Sequence, residues 1–316
     1  MQHVECGVPQ GSVLGPLLFI IYINVLANCC NEGTFRIFAD DTGIFCHSKS
    51  ISLLMEKAAV IMKNIHNWFQ SNKLTLNTSK TSFLIFRSSR SSIQHLPDTI
   101  HFGNASIHRT SQIKYLGVIL DEFMNWNAHI QDLCNNLKCL FPLFYNIRDY
   151  LNDDHVKIMY YTMVFSKIKY GSIVYGLTNT ENLNKIQTIQ NRLLKVLLIK
   201  PHRFSTNKLH KDLSILKFED IVKQELMSFT FNYIHRNLPV VFENYFQHRW
   251  VLADALSGDS RLRFKTPEHS TIIGENTVKV RASNLFNTVM SKTNLNCKIK
   301  SFRNTIKTTI LLNYND

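Results

Sequence analysis

No internal repeat, no low-complexity tract and no secretory leader is evident in these 316 residues. The first two absences exclude solenoid, fibrous and disordered classes. The third, with an odd total of seven cysteines and no C-x-x-C pair, points to a reducing intracellular compartment, nucleus or cytoplasm, and to no disulfide partner. His129, Cys134 and Cys139 recur in five-residue steps, but on a helix such steps point in different directions, which disfavours a zinc site. Long apolar runs are scarce as well. The longest, Val13–Ala27, contains Pro16 and Asn24 and is shorter than the ~18–20 residues a membrane helix needs. It reads as a buried helix, and no membrane partner is expected.

Acidic residues are also few. Against 23 Asp and Glu stand 36 Lys and Arg, a net charge of +13 and a pI near 9.4, the footprint of a protein that meets polyanions. The excess is uneven: residues 1–125 hold 10 basic and 8 acidic side chains, and residues 126–316 hold 26 and 15. Any grip on nucleic acid is therefore expected from the C-terminal part. With 45% apolar residues the chain has material for two domains and their cores.

Along the chain, Leu17–Asn28 reads as a helix that Ser12 can cap. A strand, turn and strand follow around Phe35–Cys46. Leu54, Ala58, Ile61, Ile65 and Trp68 recur at helical spacing, which predicts an amphipathic helix over 51–71. KLTLNTSKTSFLIF alternates into a strand ending near Phe86, SSRSSIQ is a polar loop, and SIHRTSQIKYLGVILD reads as further short strands. From Trp126 the pattern turns helical. The expected fold is α+β, with boundaries giving 1–125 as a mixed layer, 126–200 as a helical domain and 201–316 as a basic C-terminal region that is loop-rich with short strands near 250–280 and ends in a helix.

Within this frame, IFADDTGIF (Ile37–Phe45) places Asp40 and Asp41 side by side in an apolar, strand-like run. Two carboxylates this close repel unless a cation relieves them. A hairpin presenting two hard oxygen ligands suits Mg²⁺, and two such ions can stabilise the attacking and leaving oxygens of an in-line displacement at phosphorus. An Asp-Asp pair in a surface turn is also ordinary turn chemistry.

The neighbouring motifs decide which chemistry to expect. GVPQGSVLGPLLFIIYIN precedes the Asp pair, NKLTLNTSKTSFLIF and IKYLGVILD follow it, and YLGVILDEFMNWNAHI, IKYGSIVYG, IQTIQNRLLKVL and SFRNTIKTTILLNY come later. In this order the chain resembles the reverse transcriptases of non-LTR (LINE-type, jockey-like) retrotransposons over nearly its whole length, from the C-terminal part of the polymerase region onward. The resemblance implies an RNA-directed DNA polymerase palm followed by a thumb-like helical domain, working on an RNA template, a DNA primer and deoxynucleoside triphosphates with two Mg²⁺ (or Mn²⁺) ions. It implies that Asp40 and Asp41 bind metal, with Asp40 the better candidate for direct ligation. Pro9, Gln10, Gly11 and Ser12 would lie along the template and incoming nucleotide, Lys80 near the nucleotide phosphates, and Tyr115, Leu116 and Gly117 in the hairpin that grips the primer end.

One departure bears on activity. The family's palm has a third carboxylate on a strand well before the PQG loop, and here only Met1–Val8 precede that loop, without an Asp. The expected palm therefore lacks its fingers and first strand, the Asp hairpin is expected to expose an unpaired edge, and the chain alone is expected to be inactive. The alternative is a non-catalytic nucleic-acid-binding remnant of a decayed mobile element.

Overall fold

The structure is a computed structural model that describes residues 11–88, 96–252, 260–288, 295 and 297–314. The expected polar loop at 88–94 and the candidate residues Pro9 and Gln10 lie, except for Ser88, outside the described residues. The chain is α+β and divides into two compact units, residues 1–124 and 125–316.

The first unit opens with helix α1, Gly15–Asn24, prolonged by a 3₁₀ turn over Val25–Cys29. Ser12 Oγ accepts a hydrogen bond from the Gly15 amide at 3.1 Å, which relieves one of the N–H groups left open where a helix starts. Strands β1 (Thr34–Phe38) and β2 (Asp41–Phe45) form an antiparallel hairpin. No third strand joins it among the described residues. Helix α2, Ile51–Ser71, covers the span its spacing predicts, and Ser50 accepts a hydrogen bond from the Leu53 amide at its start. Its apolar stripe, Ile61 and Ile65, packs with Ile23 and Leu26 of the α1 segment, Phe35 of β1, and Phe102 and Ile107. The last two come from β4 (Thr99–Phe102) and β5 (Ala105–Arg109), antiparallel neighbours that a short β3 (Ser82–Phe83) joins in parallel. A second hairpin, β6 (Gln112–Tyr115) and β7 (Val118–Asp121), completes the unit.

Two expectations need correction here. The run from Lys73 to Phe86 forms a strand only at Ser82–Phe83, because Asn77 folds its middle into a side-chain-capped turn: Asn77 Oδ1 accepts from the Lys80 amide and from Ser79 Oγ. The α1 helix is not buried. Ile23 and Leu26 enter the core, whereas Leu17, Leu18, Ile20 and Ile21 are each about half exposed. A helix apolar on every side needs cover on every side, and one face is covered among the described residues.

The second unit is a helical assembly. Helices α3 (Asn127–Lys138) and α4 (Leu140–Ile147) pack on α8 (Thr180–Leu197). Between them, α5 (Asp153–Met159) passes through a π turn into α6 (Ser166–Lys169), and Gly171 at φ +69° starts the single-turn α7 (Ser172–Tyr175). After α9 (Thr206–Asp212) comes α10, Phe218–Ile234, the central helix, which touches α7, α8, the later α12 (Val278–Thr288) and the C-terminal α13 (Ile299–Leu312). It buries Ile221, Val222, Leu226, Met227 and Phe231, and its buried Ser228 and Thr230 hydroxyls are satisfied by the carbonyls one turn back, Gln224 and Leu226. Strands β8 (His248–Leu252) and β9 (Ser260–Phe264) form a hairpin in the stretch expected to be loop-rich with short strands, and a short α11 (Ile272–Glu275) precedes α12. Helix α12 went unread in the sequence, since its Val280, Ala282 and Phe286 are too sparse to announce a period.

His129 and Cys134 are core residues of α3, His129 packing edge-on against the Tyr175 ring at 4.5 Å, and no cluster of three or more potential metal ligands occurs among the described residues. No disulfide joins Cys29, Cys30, Cys46, Cys134 or Cys139. No helix of the described residues is long and apolar enough to cross a membrane.

Candidate active site

The Asp pair sits at the tip of the β1–β2 hairpin. Phe38 and Asp41 are opposed in the ladder, so Ala39 and Asp40 alone make the turn. Ala39 adopts φ +51°, the sign of φ that tight two-residue hairpins use to match the strands' right-handed twist. Both carboxylates are exposed, and among the described residues neither is joined to a Lys, Arg or His by an ion pair. The question the sequence raises is thus answered in part: the apolar neighbours are buried on one face, and the charges stand in water at the end.

Alternation along the strands decides what shares a face with them. Opposed residues of an antiparallel pair project to the same side. Phe35 and Ile44, an opposed pair, pack into the core. The other side carries Arg36 opposite Gly43, Thr34 opposite Phe45, and Phe38 opposite Asp41. Onto that side comes Tyr115 from the end of β6. Its hydroxyl lies 3.4 Å from the Arg36 carbonyl, its ring meets Phe45 edge-on at 6.3 Å, and a Cβ added at Gly43 would stand 3.0 Å from its Cζ and Oη. The bare Gly43 backbone is what admits the ring. Gly43 carries no role in the sequence reading, although a glycine inside a strand signals close approach of another group.

Tyr115 leads directly into a second tight turn. Leu116 (φ +47°) and Gly117 (φ +81°) are its two central residues, between the opposed Tyr115 and Val118. Both central residues at positive φ is the I′ geometry, natural for Gly117 and strained for Leu116. The pattern of strain beside a candidate site has been paid for by the surrounding packing. At the far end of β7, Asp121 accepts from the Phe123 amide at 3.0 Å, and Glu122 pairs with Arg87 at 2.9 Å, whose guanidinium also lies over the Phe123 ring.

The remaining candidates stand apart. Lys80 is exposed on the Asn77 turn and makes no ion pair with Asp40 or Asp41. Gly11 (φ +86°) has open space around it, and Ser12 is engaged in starting α1. The structure therefore rests Tyr115 on the Arg36, Gly43 and Phe45 positions of the hairpin that carries the Asp pair, and shows no hydrogen bond or ion pair from Lys80, Gly11 or Ser12 to Asp40 or Asp41 among the described residues.

The donor set at the tip fits a divalent ion in part. Mg²⁺ is commonly held by one or two carboxylates, with waters and substrate phosphates completing the octahedron. Two adjacent, unpaired carboxylates meet that need for one ion. A pair of ions sharing ligands needs more, and the described residues supply no third carboxylate, His or Cys beside these two.

Gly43 gives a direct test of this packing. Gly43→Ala should cost the first unit about 1 kcal/mol, because the Tyr115 ring must yield a few tenths of an ångström. In a Tyr115→Ala background the same change should be neutral or stabilising, since alanine is the better strand residue. Equal costs in both backgrounds, measured by urea unfolding, would show that the ring does not rest on Gly43.

Comparison with known proteins adds lineage to this geometry. Residues 2–120 match the family model described as reverse transcriptase (RNA-dependent DNA polymerase). The chain is 25% identical over 229 residues to the probable RNA-directed DNA polymerase from transposon X-element of Drosophila melanogaster, covering 70% of this chain and 25% of that protein. It is 26% identical over 234 residues to the RNA-directed DNA polymerase from mobile element jockey of Drosophila funebris, covering 71% and 25%. With the jockey polymerase of Drosophila melanogaster it shares 24% identity over 279 residues, 84% of this chain and 29% of that protein. The chain thus spans about a quarter of the length of these curated relatives. No solved structure matches it.

Proposed function

We infer that this chain, a relative of the RNA-directed DNA polymerases of non-LTR retrotransposons whose residues 2–120 match the reverse transcriptase family, carries the metal-binding and primer-end elements of such a polymerase. The observation that supports this reading most is the shared face of the Asp40–Asp41 hairpin and Tyr115. In this reading the first unit is a palm and the second a thumb-like nucleic-acid grip. Boundaries follow the notional division at 125 and 200, with the basic C-terminal region beyond.

The roles divide by position. Asp40, at the apex, and Asp41, on the face that Tyr115 covers, would hold divalent ions, Mg²⁺ or Mn²⁺. Such ions, when bound, supply charge stabilisation at the oxygens that exchange on phosphorus. Tyr115, Leu116 and Gly117 would steady the primer end by stacking and backbone contact. Gly11 and Ser12, with Pro9 and Gln10, would border the template and incoming nucleotide. Lys80 would meet the departing pyrophosphate, for which its exposed ammonium must be brought to the site by substrate. RNA template, DNA primer and deoxynucleoside triphosphates are the substrates, and the locale is nucleus or cytoplasm.

A second reading is favoured by one specific observation, that the described residues place no third carboxylate, His or Cys beside Asp40 and Asp41, as a two-ion site needs. By this reading the 316-residue chain binds nucleic acid through its basic second unit and does not polymerise. Incubated with an RNA template, a DNA primer, the four deoxynucleoside triphosphates and Mg²⁺ or Mn²⁺, it should extend no primer above background. Its affinity for the template–primer should fall steeply with salt and ignore Mg²⁺. Processive synthesis that Asp40→Ala abolishes would defeat the two-carboxylate argument, and absence of any salt-dependent binding would defeat the nucleic-acid reading itself.

A further inference from the structure

The motif IKYGSIVYG, Ile168–Gly176, takes no part in the site above, yet its two glycines have definite work in the second unit. Gly171 makes the left-handed link between α6 and α7. Gly176 lets α7 approach α10, since a Cβ there would meet Val222 Cγ2 at 2.4 Å and the Ser172 carbonyl at 2.3 Å. Held this way, the motif forms one wall of a cavity of about 270 Å³, whose other walls are α10 and α13.

The chemistry of that cavity is concentrated in a few groups. Lys169 from the end of α6 and Arg303 from α13 both face Glu225 of α10. Arg303 is hydrogen-bonded to Glu225 Oε1, while the Lys169 ammonium stands 3.6 Å from the same oxygen, beyond hydrogen-bond reach. The carboxylate is hydrogen-bonded to the guanidinium, while the Lys169 ammonium, paired with it at 3.6 Å and 5.7 Å from the Phe165 ring centroid, donates no hydrogen bond among the described residues. Glu225 is 18% and Arg303 27% exposed in their side chains, so charges here are screened less than on an open surface. Asn232, about two turns beyond Glu225 on α10, lines the same cavity with a side-chain amide that makes no hydrogen bond among the described residues. Beneath, the wholly buried Ser172 hydroxyl has no hydrogen-bond partner, a condition that costs about 1–3 kcal/mol until a water or ligand supplies one.

Two cations against one carboxylate leave a single positive charge, with amide and ammonium donors around it. We propose that this cavity is a binding site for a phosphate group, held by the Lys169 ammonium and the Asn232 amide over the Arg303–Glu225 pair. The residual charge of +1 matches the single negative charge of a phosphodiester better than the dianion of a phosphomonoester. Nucleic-acid backbone is therefore the first source to consider, and free phosphate the second. The inference deepens the reading of the second unit as a nucleic-acid grip and rests on it for the backbone source, whereas binding of inorganic phosphate would stand without it.

The test uses the 316-residue chain and two probes, a dithymidine dinucleotide with one phosphodiester, and inorganic phosphate, followed by the amide resonances of Gly171 and Ser172 and the side-chain amide of Asn232. Saturable shifts with the dinucleotide, absent with its uncharged methylphosphonate analogue, place a backbone phosphate in the cavity. Shifts with inorganic phosphate alone assign the site to free phosphate. In either case Lys169→Met, which keeps the apolar stem, and Asn232→Asp, which adds a repelling charge at constant shape, should each weaken binding at least about tenfold. The second variant touches no ion pair, so it reports even if the first disturbs folding. No saturable shift with either probe, or unchanged affinity in both variants, overturns the proposal.

Discussion

Asp40→Asn, made in a polypeptide that joins this chain to a third carboxylate, should slow RNA-templated primer extension by about 10³-fold. The substitution keeps the volume of the side chain and removes the charge proposed to hold a divalent ion. Loss of one preorganised stabilising group in other enzymes costs about 10²–10³ in rate, and a metal ligand stabilises both exchanging oxygens at once. Asp40 stands at the apex of a turn with no ion pair to a Lys, Arg or His among the described residues, so within the hairpin the neighbouring Asp41 is the carboxylate left to hold an ion. Asp41→Asn should cost less, because Asp41 is the weaker candidate for direct ligation. Template–primer affinity should change less than about twofold in both, since the second unit carries most of the positive charge. Extension within tenfold of the parent after Asp40→Asn would remove the Asp pair from the chemistry.

The second unit should lose about 3 kcal/mol of stability between pH 7 and pH 4 through His210 alone. The ring is fully buried, with Nδ1 3.0 Å from the Ile215 carbonyl and Nε2 2.8 Å from the Asn191 side-chain amide. Gln187 closes the group, bonded to Asn191 and to the Phe218 amide. Burial pushes the imidazole down to about 4 from its ordinary 6.5; the hydrogen bond to Ile215 and the Asp220 carboxylate raise it, and Lys217 lowers it further. Tyr314, edge-on to the ring and bonded to Asp220, is neutral throughout this range.

Because the folded value lies below the unfolded one, the unfolded chain takes up the proton first. His210 therefore contributes its full share above about pH 6.5, and that share drains away as the pH falls towards 4. Urea unfolding at pH 7, 5.5 and 4.5 measures this, and His210→Gln, which cannot titrate, should flatten the difference. A pH dependence identical in His210→Gln would show that other groups carry it.

How much of this was legible beforehand varies with the kind of signal. The α2 helix was legible to the residue because Ser50 caps it and its apolar positions keep a helical period. The Asp pair announced itself as two like charges in an apolar run, and the turn that holds them follows from strand alternation on either side. Lys80 was misplaced in a strand because side-chain hydrogen bonding by Asn77 outweighed the alternation around it. Tyr115 could be proposed for a role only through resemblance, since nothing local says that its ring crosses to another hairpin.

Sequence alone determined the α2 helix, the α+β class, the split of charge between the two parts of the chain and the hairpin that presents Asp40 and Asp41. Those properties depend on interactions within a few residues, or on sums over many. Tertiary structure decided which apolar helix is covered. The apolar residues of α10 are enclosed by α7, α8, α12 and α13, whereas Leu17, Leu18, Ile20 and Ile21 of the almost wholly apolar α1 face outward. It also decided that Gly43 makes room for Tyr115 and that Lys169, Glu225, Asn232 and Arg303 meet around one cavity. Burial and juxtaposition depend on what lies across space from a residue, and a one-dimensional pattern carries the need for a partner without its position.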